Sequence, residues 1–223
     1  MQKSFYELAL KYFGAVGNTR RLNLINGYER SRHLVEFLII LHRPSTWIRK
    51  HEMIPNGRFE FTRSASELQA AGVRFGGMGD LFEVSFESGL LKLPQLTVND
   101  RTETFFRNVI AFEQCGHYER YISSYIIFMN ILINTAEDVK LLVKHGFIDN
   151  LLGENQLVAN LFSDLYKEVI EEQTDFHFGK ICYDLNEYSI DYIHKWNARW
   201  FKWKLYKWLR WKLILINEYF DNP

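Results

Sequence analysis

Between Thr102 and Arg120 the chain places an acid where acids are costly. On a helical wheel Phe105, Phe106, Val109, Ile110 and Phe112 share one face, and Glu113 falls within it. A carboxylate among phenylalanines has its pKa raised unless it is partnered, which is how a general acid is made. If the helix continues past Gly116, His117 and Arg120 follow on the same side, and the spacing then describes a structural latch of buried Glu113 with His117 and Arg120. The latch is the favoured reading, because the sequence sets no nucleophile or second carboxylate beside Glu113. A hydrolase using Glu113 is the alternative.

Other residue patterns that could do chemistry are weaker. Glu113 and His117, four apart, could offer two metal ligands, but seven scattered histidines supply no third at a recognisable spacing. Gly76-Gly-Met-Gly79 precedes a strand and carries no Lys-Ser/Thr, so it reads as a turn and not as a phosphate cradle. Cys115 and Cys182 are far apart, without metal-ligand spacing, as in an intracellular reduced chain. The expectation is therefore no catalytic residue, no metal site and no cofactor.

The second unusual feature is the window Lys195 to Lys212, with seven cations, no anions and five of the six tryptophans. Trp196, Trp200, Trp203, Trp208 and Trp211 span an arc of about 140° on a helical wheel, with Lys204 and Lys207 inside it. Tryptophan beside Lys and Arg is the composition of a membrane interface. Bases stacked on tryptophan with lysine on phosphate would instead bind single-stranded nucleic acid, the less favoured partner. A third reading packs the tryptophans inward while the lysine stems snorkel.

These residues must be positioned by a chain of 223 residues whose 27 basic and 27 acidic side chains cancel. The 47% apolar and 24% charged content excludes a disordered or low-complexity segment and suits a domain with a real core. The zero is an average. Residues 1–136 carry 16 basic and 13 acidic residues, 137–191 carry 4 and 12, and 192–223 carry 7 and 2. No apolar run approaches the ~20 residues that span a bilayer, and the N-terminus reads as an amphipathic helix instead of a signal peptide.

Helical spacing dominates. It predicts a helix over 33–42 ending before Pro44, a connection over 44–63, and a short Ser-capped helix from Ser64 that stops at Gly72. Residues 81–98 alternate about Ser88-Gly89 as a β-hairpin, and Pro94 predicts an edge position for the return strand. A helical core over 99–171 follows. Its parts are a helix capped by Asn99 or Asp100 and running to Cys115, one over 118–133, one opened by the Thr135–Asp138 capping box and closed at His145-Gly146, and one over 157–171. A basic, tryptophan-rich helix over 179–219 ends the chain. The predicted class is a mainly α, helical bundle-like single domain, residues 1–223, with a β-hairpin insertion and a long C-terminal helix.

Several ordered blocks resemble one family. They are Ser66 to Phe75, Phe82 to Val98, Thr102 to Cys115, which looks like its most distinctive block, and Asn130 to Gly146; His33 to Leu38 is similar to the segment before them. The family is the plant-specific domain of unknown function 247, also called uncharacterised protein family 0481. Members usually carry a long region ahead of this one and end in a hydrophobic helix after a Tyr-Phe-x-x-Pro-Trp-like junction. Here Tyr219-Phe-Asp-Asn-Pro223 reaches that junction and stops, as expected of a truncated sequence or a natural soluble variant. The resemblance implies no established catalysis, and a role for some members in grass self-incompatibility implies recognition of a protein partner. It also implies association with the plasma membrane, with the domain cytoplasmic by the positive-inside rule.

Overall fold

The computed structural model describes residues 33–42, 60–77, 83–115, 119–170 and 176–192. The chain is mainly α-helical, with two small sheets among the described residues. Its elements follow local signals closely where those signals are strong. Helix α1 (Leu34–His42) buries Phe37 and Leu38 against α3. Helix α2 (Ala65–Ala70) opens with a full capping box, Ser64 with Glu67, and Gly72 beyond it takes the left-handed φ of 84° that favours glycine. Helix α3 (Thr102–Cys115) begins after an Asn99 turn, in which the Arg101 N–H donates to Asn99 Oδ1 at 2.9 Å. Helix α4 (Tyr121–Leu132) is buried along most of its length, as its apolar composition requires. Helix α5 (Ala136–Lys144) carries the Thr135–Asp138 capping box, and Gly146 after it has φ 77°. Helix α6 (Asn155–Lys167) packs on α4 and α5, and a last helix, α7, covers 179–192. The ends of α4 and α6 differ from the predicted 118–133 and 157–171 by a few residues, the usual scatter at frayed termini.

The β region corrects the expectation of a lone hairpin over 81–98. Strands β2 (Ser85–Glu87) and β3 (Leu90–Leu93) do pair antiparallel about Ser88-Gly89. The chain then breaks at Pro94, and β4 (Leu96–Val98) leaves for a second sheet, parallel to β5 (Ile148–Asn150). Strand β1 (Arg74–Gly77) runs parallel to β3, so the order is β1-β3-β2 and the return strand is central, not an edge. Pro94 does not conflict with this, because it lies one residue past β3 and withholds no ladder donor. Both sheets send Leu91, Leu93, Leu96 and Val98 into the same core that receives Phe106, Ile110, Tyr125, Phe128 and Phe162.

Several expectations lie outside the described residues. They include the N-terminal amphipathic helix, most of the 44–63 connection, His117, and residues 193–219 of the terminal helix.

Candidate functional site

Helix α3 turns Phe105, Phe106, Val109, Ile110 and Glu113 inward, and Glu113 is completely buried. Its partner is the start of the next helix. Helix α4 has Arg120 at its N-cap position, with no side-chain hydrogen bond to the first-turn amides. Those amides point at Glu113 instead. The Ile122 N–H donates to Oε1 at 2.9 Å, and the Ser123 N–H and Oγ–H donate to Oε2 at 2.8 and 2.6 Å. Glu113 thus does for α4 what a Ser or Asp at the cap does for an ordinary helix. Burial pushes its carboxyl pKa up, opposed by the Ser123 and Ile122 donors and by the positive charge of Arg120. Of the predicted latch, Glu113 and Arg120 act on one another electrostatically.

Ser124, the next residue, faces a different partner. Its Oγ lies 3.2 Å from His177 Nδ1 and accepts the His177 N–H at 3.4 Å. A Ser124 O–H donated to Nδ1 satisfies both side chains and leaves the ring proton on Nε2. Tyr121 packs its ring edge on His177 at 5.4 Å, and its hydroxyl pKa is pushed up by burial and by the charge of Glu83. This acid, two serines and a histidine do not make a triad. The hydrogen bonds of Glu113 go to Ile122 and Ser123, while the histidine is bonded to the other serine. The sequence reading missed Ser123, Ser124 and His177. The available signal was an uncapped helix start followed by Ser-Ser, the first serine ten residues after a buried acid.

A second buried carboxylate is built in the same way. Asp138 Oδ2 accepts the Thr135 N–H and Oγ1–H of its own helix, each at 2.9 Å, and the Asn134 N–H at 3.2 Å. Its Oδ1 accepts the Ser66 N–H at 2.9 Å and the Ser66 Oγ–H at 2.6 Å, from the first turn of α2. Burial would raise its pKa, but the Ser66 and Thr135 donors outweigh that and hold it below the usual aspartate value. The two acids therefore give opposite pH dependences. The contribution of Asp138 to stability is complete above about pH 4, the unfolded value, and is lost as pH falls through the lowered folded value. That of Glu113 is complete below about pH 4.3 and is lost as pH rises through its raised folded value. Urea midpoints measured against pH should lose part of the acid-side fall in Asp138→Asn and part of the fall toward higher pH in Glu113→Gln.

Helix α7 leads toward the cationic section and is seated with some precision. Cys182, Leu185 and Ser189 form its buried stripe, continued by Phe178 in the turn just before it. Burial pushes the Cys182 thiol up to about 12, so it is an inert apolar group. Tyr188 and Tyr192 stack and lie over two glycine turns. A Cβ on Gly89 would stand 2.4 Å from the Tyr188 hydroxyl, and one on Gly72 would stand 2.4 Å from the Tyr192 ring. Trp196, Trp200, Trp203, Lys204, Lys207, Trp208 and Trp211 lie outside the described residues. Among the described residues no group of three His, Cys, Asp or Glu side chains could hold a metal ion, and no helix is long and apolar enough to cross a membrane.

The comparisons with known proteins agree on one group. The family model DUF247, described as a plant protein of unknown function, matches residues 1–223. A UPF0481 protein of Arabidopsis thaliana is 31% identical over 132 residues, which cover 56% of this chain and 28% of the relative. A putative UPF0481 protein of the same plant is 30% identical over 141 residues, 61% of this chain and 26% of the relative. The matched part is thus little more than a quarter of the length of either curated relative. No solved structure matches the chain.

Proposed function

The chain belongs to the DUF247 family of plant proteins, and from that premise we propose that it is a non-catalytic recognition module working against a membrane surface. The observation that carries the reading is the section Lys195 to Lys212, with seven cations, no anions and five tryptophans. Each cation near an anionic leaflet contributes up to ~1 kcal/mol, so seven together suffice for peripheral attachment, and tryptophan favours the interfacial depth. In this reading α3 to α6 form a bundle-like body that presents a protein-binding surface, and with a spanning anchor after the basic section the positive-inside rule would keep that body cytoplasmic. The engagement of Glu113 with three donors supports a structural role for the residue that chemistry would otherwise claim.

Cosedimentation of the full chain with phosphatidylserine-containing and with purely phosphatidylcholine vesicles tests the proposal. Binding to the anionic vesicles alone is expected, weakening as salt rises and lost when Trp200 and Trp203 become Ala and Lys204 and Lys207 become Glu. Absence of anionic-vesicle binding, or salt-dependent capture of single-stranded nucleic acid through the same residues, would overturn it.

A further inference from the structure

Asp138 is shared by two helix starts, and the two halves of its carboxylate are occupied differently. Oδ2 serves α5 itself, through Thr135 and Asn134, whereas Oδ1 is held by Ser66 of α2. Ser66 therefore carries the main side-chain tie between elements 72 residues apart, with the Ser64 hydroxyl acting on the same carboxylate. It is also an exposed serine, while Ser64, Ser123, Ser124 and Ser189 are buried. Three residues before it stands Arg63, exposed, in a stretch over 60–64 that belongs to no helix or strand. An arginine at that spacing is what a basic-directed serine/threonine kinase reads, and it reads it on extended chain. Helix α2 is six residues long, too short to persist without its contacts, so the acceptor becomes accessible to a kinase when Ala65 and Leu68 leave the core.

We propose that Ser66 is a phosphorylation site that uncouples α2 from α5. The Ser66 Oγ attacks the γ-phosphorus of ATP, the bond from that phosphorus to the β-phosphate oxygen breaks, ADP leaves, and the hydroxyl proton passes to the kinase's base. The product replaces a donor at 2.6 Å from Asp138 with a group carrying nearly two negative charges. Such a group cannot return to Oδ1 against the carboxylate. The Thr135 and Asn134 bonds to Oδ2 do not involve Ser66, so α5 keeps its cap while α2 is released. Leu68 and Ala65, now buried, would be exposed by that release.

The test treats the full chain with ATP and a purified basic-directed kinase, then reads the site by mass spectrometry of the peptide Ser64 to Arg74, or Phe59 to Arg74 where Arg63 is replaced. Phosphate is expected on Ser66 and not Ser64, at a rate reduced about tenfold or more by Arg63→Ala. Hydrogen exchange of amides 65–70 should then quicken about tenfold or more while amides 139–144 stay protected. Ser66→Asp should reproduce the quickening beyond what Ser66→Ala causes. The proposal fails if Ser66 stays unmodified, if its modification leaves exchange in α2 unchanged, or if the Asp and Ala variants behave alike.

Discussion

Glu113→Ala is expected to lower folding stability by about 3 kcal/mol or more, read as a fall in the urea midpoint at unchanged slope. The size follows from what is left behind. The Ile122 N–H, the Ser123 N–H and the Ser123 hydroxyl lose their acceptor together inside the core, and each buried unsatisfied donor costs about 1–3 kcal/mol. Glu113→Gln should cost less, about 1–2 kcal/mol, because an amide oxygen can still take the Ile122 N–H and its NH2 can donate to Ser123 Oγ. The Ser123 N–H has no acceptor in that variant. The pair of substitutions also separates the two roles open to this acid. A general acid at position 113 would give a Gln variant of nearly normal stability and no turnover of a substrate. The cap described above gives a measurable loss of stability in both variants, graded by the number of donors abandoned.

Gly89→Ala should cost about 2–4 kcal/mol through two separable effects. The Ser88-Gly89 turn holds φ values of 50° and 77°, the left-handed pair that lets a two-residue loop follow the strand twist. Alanine at 77° costs about 1–2 kcal/mol for the backbone alone. The added Cβ would also meet the Tyr188 hydroxyl at 2.4 Å and its ring at 2.5 Å. Tyr188 cannot retreat freely, since its ring stands edge-on to Phe86 at 5.6 Å and its hydroxyl donates to the Gly72 carbonyl at 3.4 Å. Gly89→Ala made in a Tyr188→Ala background should therefore show only the backbone part, and the difference measures how tightly α7 is seated on the hairpin.

Much of the fold was legible because its signals are local. Ser64 with Glu67, Thr135 with Asp138, and Gly72 and Gly146 beyond their helices act within four residues, and all four appear where their spacing predicts. The inward face of α3 was legible for the same reason: a period of 3.6 needs no partner to be seen. The short strands were not. β1 contains two glycines and pairs with β3, and β5 is three residues long and pairs with β4 some 50 residues earlier, so neither has alternation to read. At the candidate site the burial of Glu113 was predicted, but its bonding was not. Its acceptors' partners are mostly main-chain amides, which every residue has, and only the path of the chain brings the right ones near. The capping box at Asp138 was visible within its own helix, while its hold on Ser66 crosses 72 residues. The charge asymmetry around residue 192 needed only counting.

Glu113 acts as the architectural cap of α4. Amide hydrogen exchange at Ile122 and Ser123 reports on that directly, because both N–H groups end on its carboxylate. In the unmodified chain both amides should exchange only through global unfolding, and in Glu113→Gln the Ser123 amide should exchange at least about tenfold faster relative to the rest of α4. Fast exchange at both positions in the unmodified chain, or unchanged protection of Ser123 in Glu113→Gln, would contradict the cap and return Glu113 to the candidates for chemistry.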